Sequence, residues 1–115
     1  MTALLVALAG GAGAALRFLV ESVVTARTSG RFPWGVVLVN VTGSFAIGLV
    51  VAQLEPGTAL TVVTTGFLGG YTTFSSASLD SARLALSGRG GAAVLHATGT
   101  ATACVAAAVL GALVV

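Results

Sequence analysis

Residues 66–73 read Gly-Phe-Leu-Gly-Gly-Tyr-Thr-Thr, and this stretch decides how the chain folds. It lies inside an apolar segment, residues 58–86, that is longer than the roughly 20 residues an α-helix needs to cross a bilayer. Two adjacent glycines are costly in the interior of a helix. We therefore predict two half-helices joined by a non-helical turn near residues 69–73. Non-helical backbone at membrane depth needs protein, water or an ion to satisfy its amides and carbonyls.

Three further apolar segments surround this one, at about residues 3–24, 34–54 and 92–115. The chain is 57% hydrophobic and only 7% charged, with a mean hydropathy of +1.08, whereas soluble domains are roughly a quarter charged. The sequence thus predicts one all-α integral membrane domain with four transmembrane helices, the third of them broken. The first segment has no basic start and runs on past Arg17, so we expect a retained span and not a cleaved signal.

The few charges are distributed unevenly between the two predicted sides. Four spans place the first and third connections together, and these hold Arg27, Arg31 and Arg89, with Arg83 close by. The opposite side carries Glu55 and no basic residue. The positive-inside rule then predicts that both termini lie outside the cytoplasm. A net charge of +2, scattered in this way, gives no reason to expect a nucleic-acid partner.

The sequence contains no set of residues that could form a catalytic site. His96 is the only histidine and Cys104 the only cysteine. No metal-ligand spacing and no nucleophile with its base can be assembled from them. We therefore predict that the protein is not an enzyme.

Polar residues inside the apolar segments are more informative, because such groups usually face a partner or a pathway. Asn40 admits two interpretations, an interhelical hydrogen bond or an amide donor lining a pore. Arg17 with Glu21 forms an i,i+4 pair that is compatible with a structural role. His96, Thr100 and Cys104 recur every four residues and so share one helical face.

Small residues along the helices predict close packing. Ser44 and Gly48 form a small-x-x-x-small motif, and Gly10 and Gly13 lie on the first helix. Such positions allow helix backbones to approach in a membrane. Four short helices enclose little interior of their own, so a dimer or a tighter bundle is implied.

Three stretches in this order resemble the Fluc (CrcB) family of fluoride channels. They are residues 10–18 (Gly-Gly-Ala-Gly-Ala-Ala-Leu-Arg-Phe), residues 39–45 (Val-Asn-Val-Thr-Gly-Ser-Phe), and residues 66–75, which extend the opening stretch by Phe74-Ser75. The resemblance covers nearly the whole chain. Each stretch alone is glycine-rich and weak, but the three together are specific.

The resemblance implies an antiparallel dimer in a prokaryotic plasma membrane, with two pores that pass fluoride passively out of the cytoplasm and so relieve its toxicity. It implies a central structural Na⁺ held by the backbone carbonyls of Gly69 and Thr72. The pore and fluoride-lining residues would be Asn40, Phe74, Ser75, Thr100 and Cys104. Structural roles would fall to Arg17, Gly70 and Thr73.

The sequence also departs from the family pattern. Ala77 stands where a second phenylalanine is usual, Asp80 where a glutamate is usual, and Cys104 where a hydroxyl is usual. With the one-sided arginines, the missing ring favours a subunit that pairs with an inverted homologous partner over one that forms a homodimer.

Two other functions stay open at this stage. One is a four-helix proton-coupled cation or drug exporter, which needs a carboxylate deep in the membrane, whereas Glu21, Glu55 and Asp80 lie toward segment ends. The other is a membrane assembly subunit that transports nothing.

Overall fold

The computed structural model describes residues 1–28 and 32–114, and every regular element in these ranges is helical. The long helices are α1 (Thr2–Arg27), α2 (Trp34–Gln53) and α6 (Gly90–Leu113), with three shorter ones between them, α3 (Thr58–Thr61), α4 (Gly69–Tyr71) and α5 (Phe74–Leu86). In the described part of the chain, α1, α2 and α6 are long and apolar enough to cross a membrane. These three helices agree with the predicted first, second and fourth segments, except that Val115 lies outside the described residues.

The predicted break in the third segment is present. The chain runs from α3 through a π-helical stretch, Val62–Leu68, into α4, and then Thr72 and Thr73 adopt extended backbone before α5 begins. Thr73 serves as the N-cap of α5, because its Oγ1 accepts a hydrogen bond from the amide of Ser76 at 3.1 Å. Such a cap satisfies one of the free amides at a helix start.

The glycine pair is not itself the point of the break, contrary to the reasoning from the sequence. Gly69 and Gly70 are both helical, and the backbone leaves the helix two residues later. Gly70 is required for a different reason: a Cβ there would lie 2.2 Å from the carbonyl oxygen of Gly10. The glycine therefore allows α1 to approach α4 backbone to backbone.

The other packing glycines act in the same way. A Cβ on Gly13 would lie 2.0 Å from the carbonyl oxygen of Phe67. Between α2 and α6, a Cβ on Gly48 would lie 2.0 Å from the carbonyl oxygen of Ala108, and one on Gly111 would lie 2.2 Å from that of Phe45. The predicted close approach at Gly13 and Gly48 is confirmed.

Two contacts show which ends of the helices lie together. Phe32, in the first connection, contacts the ring of His96 near the start of α6, with centroids 5.3 Å apart. The first and third connections therefore share one end of the bundle. Gly66 approaches Val6, which brings the start of the broken segment to the end that holds the N-terminus. Arg31 lies outside the described residues.

Candidate functional site

A groove of about 600 Å³ runs beside the helix break, between α2, α5 and α6. Among the described residues, no charged side chain lines it. Its lining consists of amide, hydroxyl, ring, thiol and aliphatic groups from Asn40, Ser44, Ile47, Thr72, Thr73, Phe74, Ala77, Ser78, Ser81, His96, Ala97, Thr100, Ala101 and Cys104. The groove thus offers neutral hydrogen-bonding groups set in an apolar wall.

Asn40 joins α2 to the break through two hydrogen bonds. Its Nδ2 donates to the carbonyl oxygen of Thr73 at 2.9 Å, and its Oδ1 accepts from the amide of Thr73 at 2.8 Å. The side chain is 7% exposed. It supplies the partners that the extended backbone of Thr73 cannot find within a helix. Asn40 therefore makes an interhelical hydrogen-bonded contact, as the first interpretation predicts, and it also lines the groove.

Two backbone carbonyls at the break lose their helical donors. In a continuous helix the carbonyl of Gly69 would accept from the amide of Thr73, and that of Thr72 from the amide of Ser76. Here the amide of Thr73 donates to Asn40, and the amide of Ser76 donates to Thr73 Oγ1. Carbonyl oxygens released in this way, as in broken membrane helices elsewhere, are chemically suited to an alkali cation.

Arg17 stabilises the same region from α1. Its Nε donates to the carbonyl oxygen of Gly70 at 3.3 Å. Arg17 does not pair with Glu21, and Glu21 Oε1 is buried without a hydrogen-bond partner. The guanidinium thus donates a hydrogen bond to a backbone carbonyl near the break and forms no ion pair with the carboxylate one turn away.

Phe74 and Ser75 begin α5 at the mouth of the groove. Phe74 is 87% exposed and lines the groove. Ser75 is outside the lining, and its Oγ lies 3.4 Å from Thr73 Oγ1. Ala77 follows Phe74 by about one turn on the groove face, where its methyl group leaves the space open.

The polar face of α6 forms the opposite wall. His96, Thr100 and Cys104 all line the groove, as their spacing predicts. His96 is 1% exposed, and its Nδ1 lies 2.7 Å from Ser81 Oγ. Both His96 Nε2 and Thr100 Oγ1 are buried without a hydrogen-bond partner. Buried polar atoms without a partner are uncommon, and each calls for an explanation.

Sequence reasoning did not place Ser78 and Ser81, two serines of α5, in the site. Ser78 and Ser81 line the groove together with Phe74 and Ala77. The signal was present, because these positions follow one another as i, i+3, i+4 and i+7 and so share one face of a helix. What the sequence does not reveal is that this face meets His96.

Comparison with known proteins agrees with these observations. The family model described as "CrcB-like protein, Camphor Resistance (CrcB)" matches residues 4–112. A protein of Leifsonia xyli subsp. xyli named "Fluoride-specific ion channel FluC 1" is 43% identical, covering 96% of this chain and 84% of that protein. One of Cutibacterium acnes named "Fluoride-specific ion channel FluC 2" is 42% identical, covering 96% of this chain and 94% of that protein.

A third relative extends the comparison. The protein of Brucella melitensis biotype 1 named "Fluoride-specific ion channel FluC 1" is 39% identical, and the match covers 94% of each chain. These relatives bear the names of ion channels and not of enzymes. The family match extends over almost the whole chain and includes both the break and the groove, and on this ground the chain belongs to the CrcB family.

Proposed function

We propose that the chain is a subunit of a fluoride-selective channel. Fluoride would leave the cytoplasm through this channel down its own gradient, which would relieve its toxicity to the cell. One observation carries the proposal: the groove beside the broken helix is lined by neutral hydrogen-bonding groups, with Asn40 and Phe74 at the break. The printed names of the relatives support the choice of fluoride as the permeant ion.

The neutral lining accounts for conduction and not only for binding. A small anion that enters an apolar wall must exchange its water for other donors, and amides and hydroxyls provide them. The edge of the Phe74 ring carries partial positive charge and can face an anion. A lysine or arginine at this place would hold the anion too firmly, whereas conduction requires that the ion also leaves.

Flux from sealed vesicles tests the proposal. Purified protein reconstituted into vesicles loaded with fluoride should release it when a permeant counter-ion pathway is opened, and vesicles loaded with chloride should release little. Proton-coupled export of an organic cation would indicate the exporter. Absence of flux from the chain, alone and with an inverted homologous subunit, would indicate an assembly subunit. Either result would refute the channel.

The membrane arrangement is part of the proposal. The broken segment, residues 58–86, would be the third of four spans in a prokaryotic plasma membrane, with both termini outside the cytoplasm. The separation of Arg27, Arg83 and Arg89 from Glu55 supports this orientation. In a Cys104→Ser background, a cysteine introduced at Gly57 should react with an impermeant thiol reagent in intact cells, and one at Ser87 should not. The opposite labelling pattern would refute the orientation.

A structural Na⁺ fits the break. The carbonyls of Gly69 and Thr72, which have lost their helical hydrogen-bond donors, would hold the cation. An antiparallel dimer would bring a second such pair of carbonyls to the interface. When bound, the cation would offset the partial negative charge of these oxygens. A cation that binds only the folded dimer stabilises it by mass action.

We therefore expect the thermal stability of the purified protein to depend on Na⁺. Replacing Na⁺ with an equal concentration of N-methyl-glucamine should lower Tm, and adding back millimolar Na⁺ should restore it more effectively than K⁺. Equal Tm values in all three solutions would exclude the cation site.

The partner subunit is proposed from Ala77. Among the described residues, Phe74 provides the one phenyl ring at the groove, and the position one turn later, Ala77, carries only a methyl group. An inverted homologous subunit with the second phenylalanine would complete the lining that this chain leaves open. The one-sided arginines support such a fixed orientation, because an inverted copy of the same chain would place them on the wrong side.

Restoring the ring should reduce the need for a partner. We expect the lone Ala77→Phe variant to pass fluoride at least about tenfold faster than the lone unmodified chain, because the added ring edge faces the groove. Ala77→Leu is the matched control, since it adds bulk without a ring. Robust flux from the unmodified chain alone, or equal gains from both variants, would contradict this explanation.

A further inference from the structure

Tyr71 is the last residue of α4 before the extended pair, and the channel proposal assigns it no role. Its side chain is 9% exposed, and its hydroxyl oxygen lies 3.0 Å from Thr42 Oγ1 on α2. A buried tyrosine hydroxyl usually has a hydrogen-bond partner. Here the partner lies 29 residues earlier in the chain. The contact therefore ties the end of α4 to a different helix.

The direction of this hydrogen bond follows from the other bond that Thr42 makes. A threonine hydroxyl has one proton to donate and lone pairs with which to accept. Thr42 Oγ1 donates its proton to the carbonyl oxygen of Leu38 at 2.7 Å, within α2. Tyr71 is therefore the donor and Thr42 the acceptor. The tyrosine hydroxyl is thereby linked through Thr42 to the backbone of α2.

The ring of Tyr71 and the side chain of Thr72 both lie directly against α2. A Cβ on Gly43 would lie 3.1 Å from Cδ2 of the tyrosine ring and would clash with Cγ2 of Thr72. The hydroxyl of Thr72 is already engaged, because Oγ1 donates to the carbonyl of Leu68 at 2.9 Å. The carbonyl oxygen of Thr72 is the group that the break leaves for a cation.

Thr72 consequently lies between two attachments to the same helix. On one side Tyr71 donates to Thr42, and on the other Thr73 exchanges two hydrogen bonds with Asn40. The first attachment fixes the end of α4, the helix that carries the carbonyl of Gly69. The second fixes the extended backbone that follows Thr72. Together they set the distance between the two carbonyl oxygens proposed for the cation.

We propose that Tyr71 and Thr42 are positioning residues of the cation site, and that their hydrogen bond sets its preference for Na⁺ over K⁺. Neither side chain contacts the ion. A cage of oxygen ligands at fixed spacing discriminates between cations by size, whereas a flexible cage adapts to the larger ion. The inference rests on the proposed cation site, and it deepens that proposal by naming what determines the ion preference.

Tyr71→Phe tests the role of the hydroxyl, because phenylalanine keeps the ring against Gly43 and removes only the donor. Tm is measured over a series of Na⁺ and K⁺ concentrations, with N-methyl-glucamine keeping the ionic strength constant. The Na⁺ concentration that gives half of the rise in Tm should increase about fivefold, equivalent to about 1 kcal/mol. The corresponding K⁺ concentration should change less, so that the preference for Na⁺ decreases. A parallel shift of Tm in all solutions, with both half-maximal concentrations unchanged, would overturn the proposal.

Variants of Thr42 show whether the hydrogen bond itself is responsible. Thr42→Val removes the acceptor with little change of shape and should weaken the preference for Na⁺ in the same way. The double variant with Tyr71→Phe should lose no more than Thr42→Val alone, because both changes remove one shared bond. Thr42→Ser keeps the hydroxyl and should retain the response of the unmodified protein. Thr98→Val is the matched control, since the exposed Thr98 hydroxyl donates within its own helix. Additive losses, or equal losses in Thr42→Ser and Thr42→Val, would overturn the proposal.

Failure of this inference is distinguishable from failure of the proposals beneath it. If the unmodified protein shows no dependence of Tm on Na⁺, the cation site and its positioning residues are excluded together, and fluoride flux still tests the channel. If the unmodified protein responds to Na⁺ and Tyr71→Phe responds equally, only the role of Tyr71 is excluded.

Discussion

Gly13→Ala should prevent the chain from reaching a stable folded state, and this is the largest effect that we expect from a single methyl group. The new Cβ would lie 2.0 Å from the carbonyl oxygen of Phe67 and 2.9 Å from the amide nitrogen of Tyr71. Both of these atoms belong to the backbone, so rotating a side chain cannot relieve the clash. Helix α1 would have to withdraw from the half-helix before the break, which would also break the hydrogen bond from Arg17 to Gly70.

The expected destabilisation is about 3 kcal/mol or more, at the upper end for overpacked sites. Measurement is by thermal unfolding and by the monodisperse fraction in mild detergent. Gly11→Ala is the matched control on the same helix, because a Cβ there meets no atom within 4 Å. The control should be neutral or slightly stabilised, since alanine favours helix by about 1 kcal/mol over glycine. Equal behaviour of the two variants would contradict the backbone contact described here.

Asn40→Leu should abolish fluoride flux and also destabilise the protein. Leucine fills similar space but has no hydrogen-bonding group for the amide and carbonyl of Thr73, which would then lose their partners. Two lost hydrogen bonds at about 1 kcal/mol each predict a loss of about 2 kcal/mol. Without its acceptor on Asn40, the amide of Thr73 is free to return to the carbonyl of Gly69, which would also remove the proposed cation ligand.

The two interpretations of Asn40 differ in this experiment. If the amide serves only as a pore donor, Asn40→Leu loses flux and keeps its Tm. If it also holds the break, as the hydrogen bonds indicate, flux and Tm fall together. Thr98→Val is the control, because the Thr98 hydroxyl is exposed and donates to the carbonyl of Val94 in its own helix. Full flux from Asn40→Leu would exclude the pore donor, and full flux together with an unchanged Tm would exclude both interpretations.

Much of the architecture was predictable because the bilayer restricts the choices. Apolar length and the lack of charge indicate the long helices, and small residues at Gly13 and Gly48 indicate where backbones meet. The break was also predictable, but its cause was not. The pair Gly69-Gly70 drew attention to the right place, although Gly70 serves contact with α1 and the extended residues are Thr72 and Thr73.

The site was less predictable, because its geometry depends on contacts between distant parts of the chain. Asn40 lies 33 residues from Thr73, and its use of both amide atoms on one peptide unit has no local signature. The same holds for Ser81 and His96, which belong to different helices. No feature of the sequence described above predicts the π-helical stretch Val62–Leu68.

The break has an electrical consequence that does not depend on any ionisable group. It sets the C-terminus of one half-helix, which runs from α3 through the π-helical stretch to α4, against the N-terminus of another, α5. Aligned peptide dipoles give a helix about half a unit of negative charge at its C-terminus and the same positive charge at its N-terminus. At the break the chain therefore carries a permanent pair of opposite partial charges, one suited to a cation and the other to an anion. Because these charges belong to peptide bonds, acid or alkali that would neutralise a carboxylate or an ammonium leaves them in place.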